Sequence, residues 1–92
     1  MATHLIGYDL HPSRGETYES LYAAIKGFGN WWHHLDSTWI IKSDMSAAAI
    51  RDDLKAHLPY NDDQILVITV TGDAAAWFGF SDSGSKWLKD YL

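Results

Sequence analysis

The chain reads as an α+β sandwich, an antiparallel sheet with helices on one face. Three observations predict it. Hydrophobic periodicity runs in the order strand–helix–strand–strand–helix–strand. The helical stretches are apolar on one stripe only, as a helix lying on a sheet requires. Two aromatic-rich runs are separated by just Asp36-Ser37, a gap that suits a tight hairpin. Beyond this βαββαβ core, an amphipathic C-terminal segment predicts one more helix.

Thr3 to Leu10 is the first expected strand, and Gly7 in its middle would permit close backbone approach or a bulge. His11 to Gly15 is polar and reads as a loop. Glu16 and Glu19 suit the positive end of a helix dipole, and Tyr18, Leu21, Tyr22, Ile25 and Phe28 fall at helical spacing. The spacing predicts a helix over 16–28, stopped by Gly29-Asn30 in a left-handed cap. Trp31–Leu35 and Thr38–Ser43 are rich in aromatic and β-branched residues and predict paired strands. On simple alternation, His33 shares a face with Trp31 and Leu35, and His34 sits with Trp32.

Ser43, Asp44 and Ser46 compete for the N-cap of the second helix. Its apolar stripe is Ala47, Ile50, Leu54 and Leu58, and Pro59 lies just beyond its end. After Asn61-Asp62-Asp63, Gln64–Thr71 is apolar on both sides, as a central or partner-covered strand would be. Ala74–Phe80 fits either a short fifth strand or an irregular crossing. Ser81 or Ser83 then caps a last helix in which Trp87, Leu88 and Tyr91 share a face.

Ninety-two residues make one domain. Aromatic residues form 14% of the chain and include five Trp, so several rings are expected at an interface or beside a ligand. A homodimer is the simplest partner that would cover them. The absence of cysteine excludes disulfide and thiolate-metal chemistry and fits a reducing compartment. No apolar run approaches the roughly 18 residues of a membrane span, so a soluble, cytoplasmic protein without a membrane partner is expected. The formal net charge is −5, with seven scattered basic residues against twelve acids. That balance disfavours nucleic acid as a partner, because phosphate binding draws on clustered Lys and Arg.

The strand ending in Tyr8-Asp9, the hairpin Trp31-Trp32-His33-His34-Leu35-Asp36-Ser37-Thr38-Trp39, and Gly79-Phe80-Ser81 resemble short bacterial proteins of the SinR-like family. More distantly, length, element order and one carboxylate resemble the small CRISPR-associated endoribonuclease family. Those proteins are ferredoxin-like dimers that take part in spacer acquisition. The resemblance implies a ferredoxin-like fold, a homodimer, and an acid at the end of the first strand near the two-fold axis. Asp9 matches that acid. Paired Asp9 carboxylates would then hold Mg2+ or Mn2+ for nuclease chemistry. The chain departs from that family in its acidity and in ending on a Trp-containing helix rather than an added strand.

From the residues alone, Asp9 at a strand end is either a metal ligand and general base or a cap for the following loop. His11 and Arg14 in the same loop could join it as a proton-transfer and phosphate-binding cluster. His33 and His34, pointing to opposite faces, are candidate substrate contacts but cannot chelate one ion as neighbours. No Gly-x-Ser-x-Gly elbow, phosphate loop or His-Glu-x-x-His helix is present. Two functions follow: a non-catalytic dimerisation or binding module, as part of a bacterial defence or regulatory assembly, and a metal-dependent endonuclease using Asp9.

Overall fold

The structure is a computed structural model that describes residues 1–11, 17–70 and 74–92. Among these the elements run β1 (Ala2–Asp9), α1 (Glu19–Lys26), β2 (Asn30–Leu35), β3 (Thr38–Ser43), α2 (Ala47–Lys55), β4 (Gln64–Val70) and α3 (Asp82–Tyr91). The four strands form one antiparallel sheet in the order β2-β3-β1-β4. This is the ferredoxin-like α+β sandwich with an added C-terminal helix. Segment 74–80 is an irregular crossing, not a fifth strand.

The sheet's first face carries α1 and α2. Ile6 of β1 and Trp39 and Ile41 of β3 pack there against Leu21 and Ile25 of α1 and Ile50 and Leu54 of α2. The alternation in β1 and β3 is what turns these residues to one side. Trp39 is the largest fully buried side chain. Its indole Nε1–H donates to the Tyr8 hydroxyl at 2.9 Å, which satisfies the one polar atom the ring brings into the core. His4 is also buried on this face, with Nδ1 at 2.9 Å from the Thr69 hydroxyl and Nε2 at 3.2 Å from the Ser43 carbonyl.

The second face is covered only in part. Trp32, Ile40 and Leu88 form a second cluster there, joined by Trp77, Phe80, Trp87 and Leu92. Two indoles pin α3 to β2: Trp32 Nε1–H donates to the Gly84 carbonyl at 3.1 Å, and Trp87 Nε1–H donates to Asn30 Oδ1 at 2.8 Å. The expectation that several Trp rings lie at an interface is therefore corrected for most of them. Trp32 and Trp39 are buried, and Trp77 and Trp87 pack on the second cluster. Two helices on one face and one on the other give the chain two small cores.

Several boundaries differ from expectation for local reasons. Tyr18 adopts φ 58, ψ 21, a left-handed conformation that cannot continue a right-handed helix, so α1 begins at Glu19. The expected start, Glu16, lies outside the described residues. Gly29 has φ 103, as a left-handed stop requires. Ser46 caps α2, its hydroxyl accepting from Ala49 N at 3.1 Å, and Ser81 caps α3, accepting from Gly84 N at 3.2 Å. In β2 the register changes between Trp32, opposite Ile40, and Leu35, opposite Thr38. That extra residue is a bulge, and it moves Leu35 onto the face of Trp32 instead of that of His33.

Tyr8 gives the core a measurable pH response. Burial pushes its hydroxyl up to about 12. Burial also raises Tyr18. A phenol that holds its proton more tightly folded than unfolded stabilises the fold fully below the ordinary value of about 10 and loses that contribution as pH rises further. Denaturant midpoints should therefore fall between about pH 10 and 12, and Tyr8→Phe should flatten the decline. A slope unchanged by the substitution would contradict this assignment.

Candidate functional site

Antiparallel pairing of β1 with β4 sets Asp9 opposite Gln64. The residues that follow β1 and those that precede β4 therefore meet at one end of the sheet. Asp9 is exposed and borders a hollow of about 220 Å3 lined with Gly7, Gln64 and Leu66. Among the described residues no hydrogen bond or ion pair engages its carboxylate. It is therefore open to a ligand on the side of the described residues.

His11 turns toward the β4 side. Its Nε2 lies 3.1 Å from the Asp62 carbonyl and 3.7 Å from Asp62 Oδ2. Asp63 stands beside them, and one ligand atom from each of His11, Asp62 and Asp63 lies within 4.8 Å of the others. This is the group among the described residues that could hold a metal ion, and Asp9 is not part of it. Tyr18 ties the group together. Its hydroxyl accepts from the His11 backbone N–H at 2.8 Å and donates to Asp63 Oδ1 at 2.8 Å. The Tyr60 backbone N–H holds the other Asp63 oxygen at 3.1 Å.

The remaining expected residues are spread out. His33 is on the first face, its ring stacked on Trp39 with centroids 3.7 Å apart and planes 11° from parallel. His34 is on the second face against Trp32 and Phe80, at 5.2 and 6.2 Å. The alternation of the two imidazoles across the sheet is as expected; His33 stacks on its indole, whereas His34 meets its neighbours at tilted angles of 46° and 55°. Arg14, the expected phosphate contact, lies outside the described residues.

Two features escaped the sequence reading. Asn61-Asp62-Asp63 carries no functional reading in the sequence, yet it contributes two carboxylates to the His11 group. The signal was available in the topology, since a strand end at Asp9 paired with a strand start at Gln64 brings their flanks together. The second feature is the bare part of the second face. α3 and the 74–80 segment reach across β2, β3 and β1, but Leu66 and Ile68 of β4 are 57% and 45% exposed. Phe78, at 96% exposure, projects beside the hollow of about 230 Å3 lined with Leu5, Trp32, Leu35, Ile40 and Leu92.

No described helix is long and apolar enough to cross a membrane. Comparison with protein-family models, with curated proteins and with solved structures finds no match.

Proposed function

We propose that the chain is a homodimeric binding module without a catalytic centre of its own, its two copies joined through β4. The observation that carries this reading is the unguarded edge of the sheet. Free strand edges are normally blunted by charged residues, proline, bulges or a covering element, since an open edge recruits other strands. The β2 edge has a bulge and the Trp87–Asn30 tie to α3. The β4 edge, Gln64-Ile65-Leu66-Val67-Ile68-Thr69-Val70, has no charge and no proline, and it pairs with β1 in unbroken register.

A second copy fits this edge because the strand complements itself. Antiparallel pairing about a two-fold axis at Val67 sets Leu66 opposite Ile68 of the other copy, twice over, on the bare face. Dispersal of Asp9, His33 and His34 over separate surfaces supports a binding role over a catalytic one. The likeness to SinR-like proteins and to the CRISPR-associated layout supports a place in a bacterial defence or regulatory assembly. Sedimentation equilibrium at micromolar concentration should give twice the 10.4 kDa of one chain. A monomer at every concentration up to about 100 μM would overturn the proposal, since a specific interface of standard size holds together well below that.

A second reading, a metal-dependent endonuclease, is favoured by the open Asp9 carboxylate. It requires a different dimer. Asp9 sits beside Gln64, three residues from Val67, so pairing through β4 separates the two carboxylates by about 20 Å along the strands. One Mg2+ or Mn2+ cannot bridge that gap. On this reading the chain cleaves RNA or DNA with either ion, and Asp9→Asn abolishes the cleavage. Cleavage that is absent, or unchanged in the variant, disposes of it.

A further inference from the structure

We propose that His11, Asp62 and Asp63 of a single chain form a binding site for one first-row transition-metal dication, with Zn2+ as the reference ion. The site is intramolecular and does not rest on the dimer. The donor set selects the ion. An imidazole nitrogen beside two carboxylates suits Zn2+, Co2+ or Mn2+, whereas Mg2+ prefers oxygen alone and keeps most of its waters.

The geometry is close to what such an ion needs. Two ligands about 2.1 Å from a tetrahedral ion lie about 3.4 Å apart. His11 Nε2 and Asp62 Oδ2 are already at 3.7 Å, and the three ligand atoms lie within 4.8 Å of one another. Side-chain adjustments of about an ångström would close the set without moving the strands. The three residues also come from two different chain segments, held together by β1–β4 pairing, so the cluster is a product of the fold.

What distinguishes the group from an ordinary acidic surface is the support behind it. Tyr18 is 2% exposed and holds both the His11 backbone and Asp63 Oδ1 through one hydroxyl. Each Asp63 oxygen accepts one hydrogen bond and keeps a lone-pair direction for an ion. Without an ion, His11 Nε2 lies 3.1 Å from the Asp62 carbonyl and 3.7 Å from Asp62 Oδ2, so the imidazole already faces the carboxylate that would share the ion with it.

The test is calorimetric titration of the untagged full chain with Zn2+, repeated with Co2+ and read by its visible absorption. The expected result is one ion per chain, with His11→Ala weakening binding at least about tenfold and His57→Ala leaving it intact. Asp62→Asn serves as the second variant, with circular dichroism to confirm the fold of both. The Co2+ bands should shift in either variant. No Zn2+ uptake at millimolar concentration would overturn the proposal. So would equal binding by wild type and both variants, equal loss in His57→Ala, or Mg2+ competing as well as Co2+. A chain made monomeric by substitution in β4 should bind the same single ion, so failure here and failure of the dimer are separately visible.

Discussion

Trp39→Ala should remove a large part of the protein's stability. The ring is 1% exposed and fills the centre of the first core between Tyr22, Trp31 and His33. Removing a buried Trp costs about 3–5 kcal/mol through lost transfer energy and the cavity left behind. A domain of this length has roughly 5–14 kcal/mol in total. The substitution also strips the Tyr8 hydroxyl of its indole donor, in a site where burial makes an unmet polar group costly. Thermal unfolding followed by far-ultraviolet circular dichroism should show Tm lower by at least about 12 °C. Trp39→Phe, which keeps most of the volume, should lose much less. A fall below about 4 °C for the alanine variant would mean that the first core does not depend on this ring.

The second large effect concerns association. Leu66→Lys combined with Ile68→Lys should dissociate the proposed dimer without unfolding the chain. Both side chains are already substantially exposed within one copy, so charging them does little harm to the monomer. In the dimer, four aliphatic groups leave the interface and two pairs of ammonium groups come directly opposite each other. Burial of an aliphatic side chain is worth about 1.5–3 kcal/mol when complete. Losing even a fraction of that at four positions raises Kd at least about 100-fold. Concentration-dependent light scattering would measure it. An unchanged association constant would place the interface elsewhere.

The fold was legible because its elements each have an unmistakable period. β3 lies at Thr38–Ser43, as its β-branched run predicts, and β4 follows the expected strand from Gln64 through Val70, Thr71 lying outside the described residues. What periodicity cannot register is a single inserted residue, and the bulge between Trp32 and Leu35 is such a case. Nor can it say on which face a terminal helix will lie. Trp87 and Leu88 form an apolar stripe whichever face receives them, and only their contacts with Asn30, Trp32 and Ile40 decide it.

The candidate site was half legible. Asp9 and His11 stood out because a strand end holds a side chain on a rigid sheet while leaving it open to solvent. Asp62 and Asp63 did not, since Asp is ordinary before a strand and their value depends on a partner 51 residues away. The left-handed Tyr18 gave no sequence signal at all. An aromatic residue in that conformation persists only where tertiary contacts hold it, here the Asp63 carboxylate and the His11 backbone. The unguarded edge, by contrast, could be read directly as a run of seven uncharged residues in β4.

A charge swap across the proposed two-fold axis puts the account at greatest risk. Leu66→Glu with Ile68→Lys in the same chain sets each carboxylate opposite the other copy's ammonium group, where the double-lysine variant sets like against like. Solution mass should then return to twice 10.4 kDa for the Glu/Lys pair and stay at 10.4 kDa for the Lys/Lys pair. Equal masses for the two variants would contradict pairing through β4 in this register.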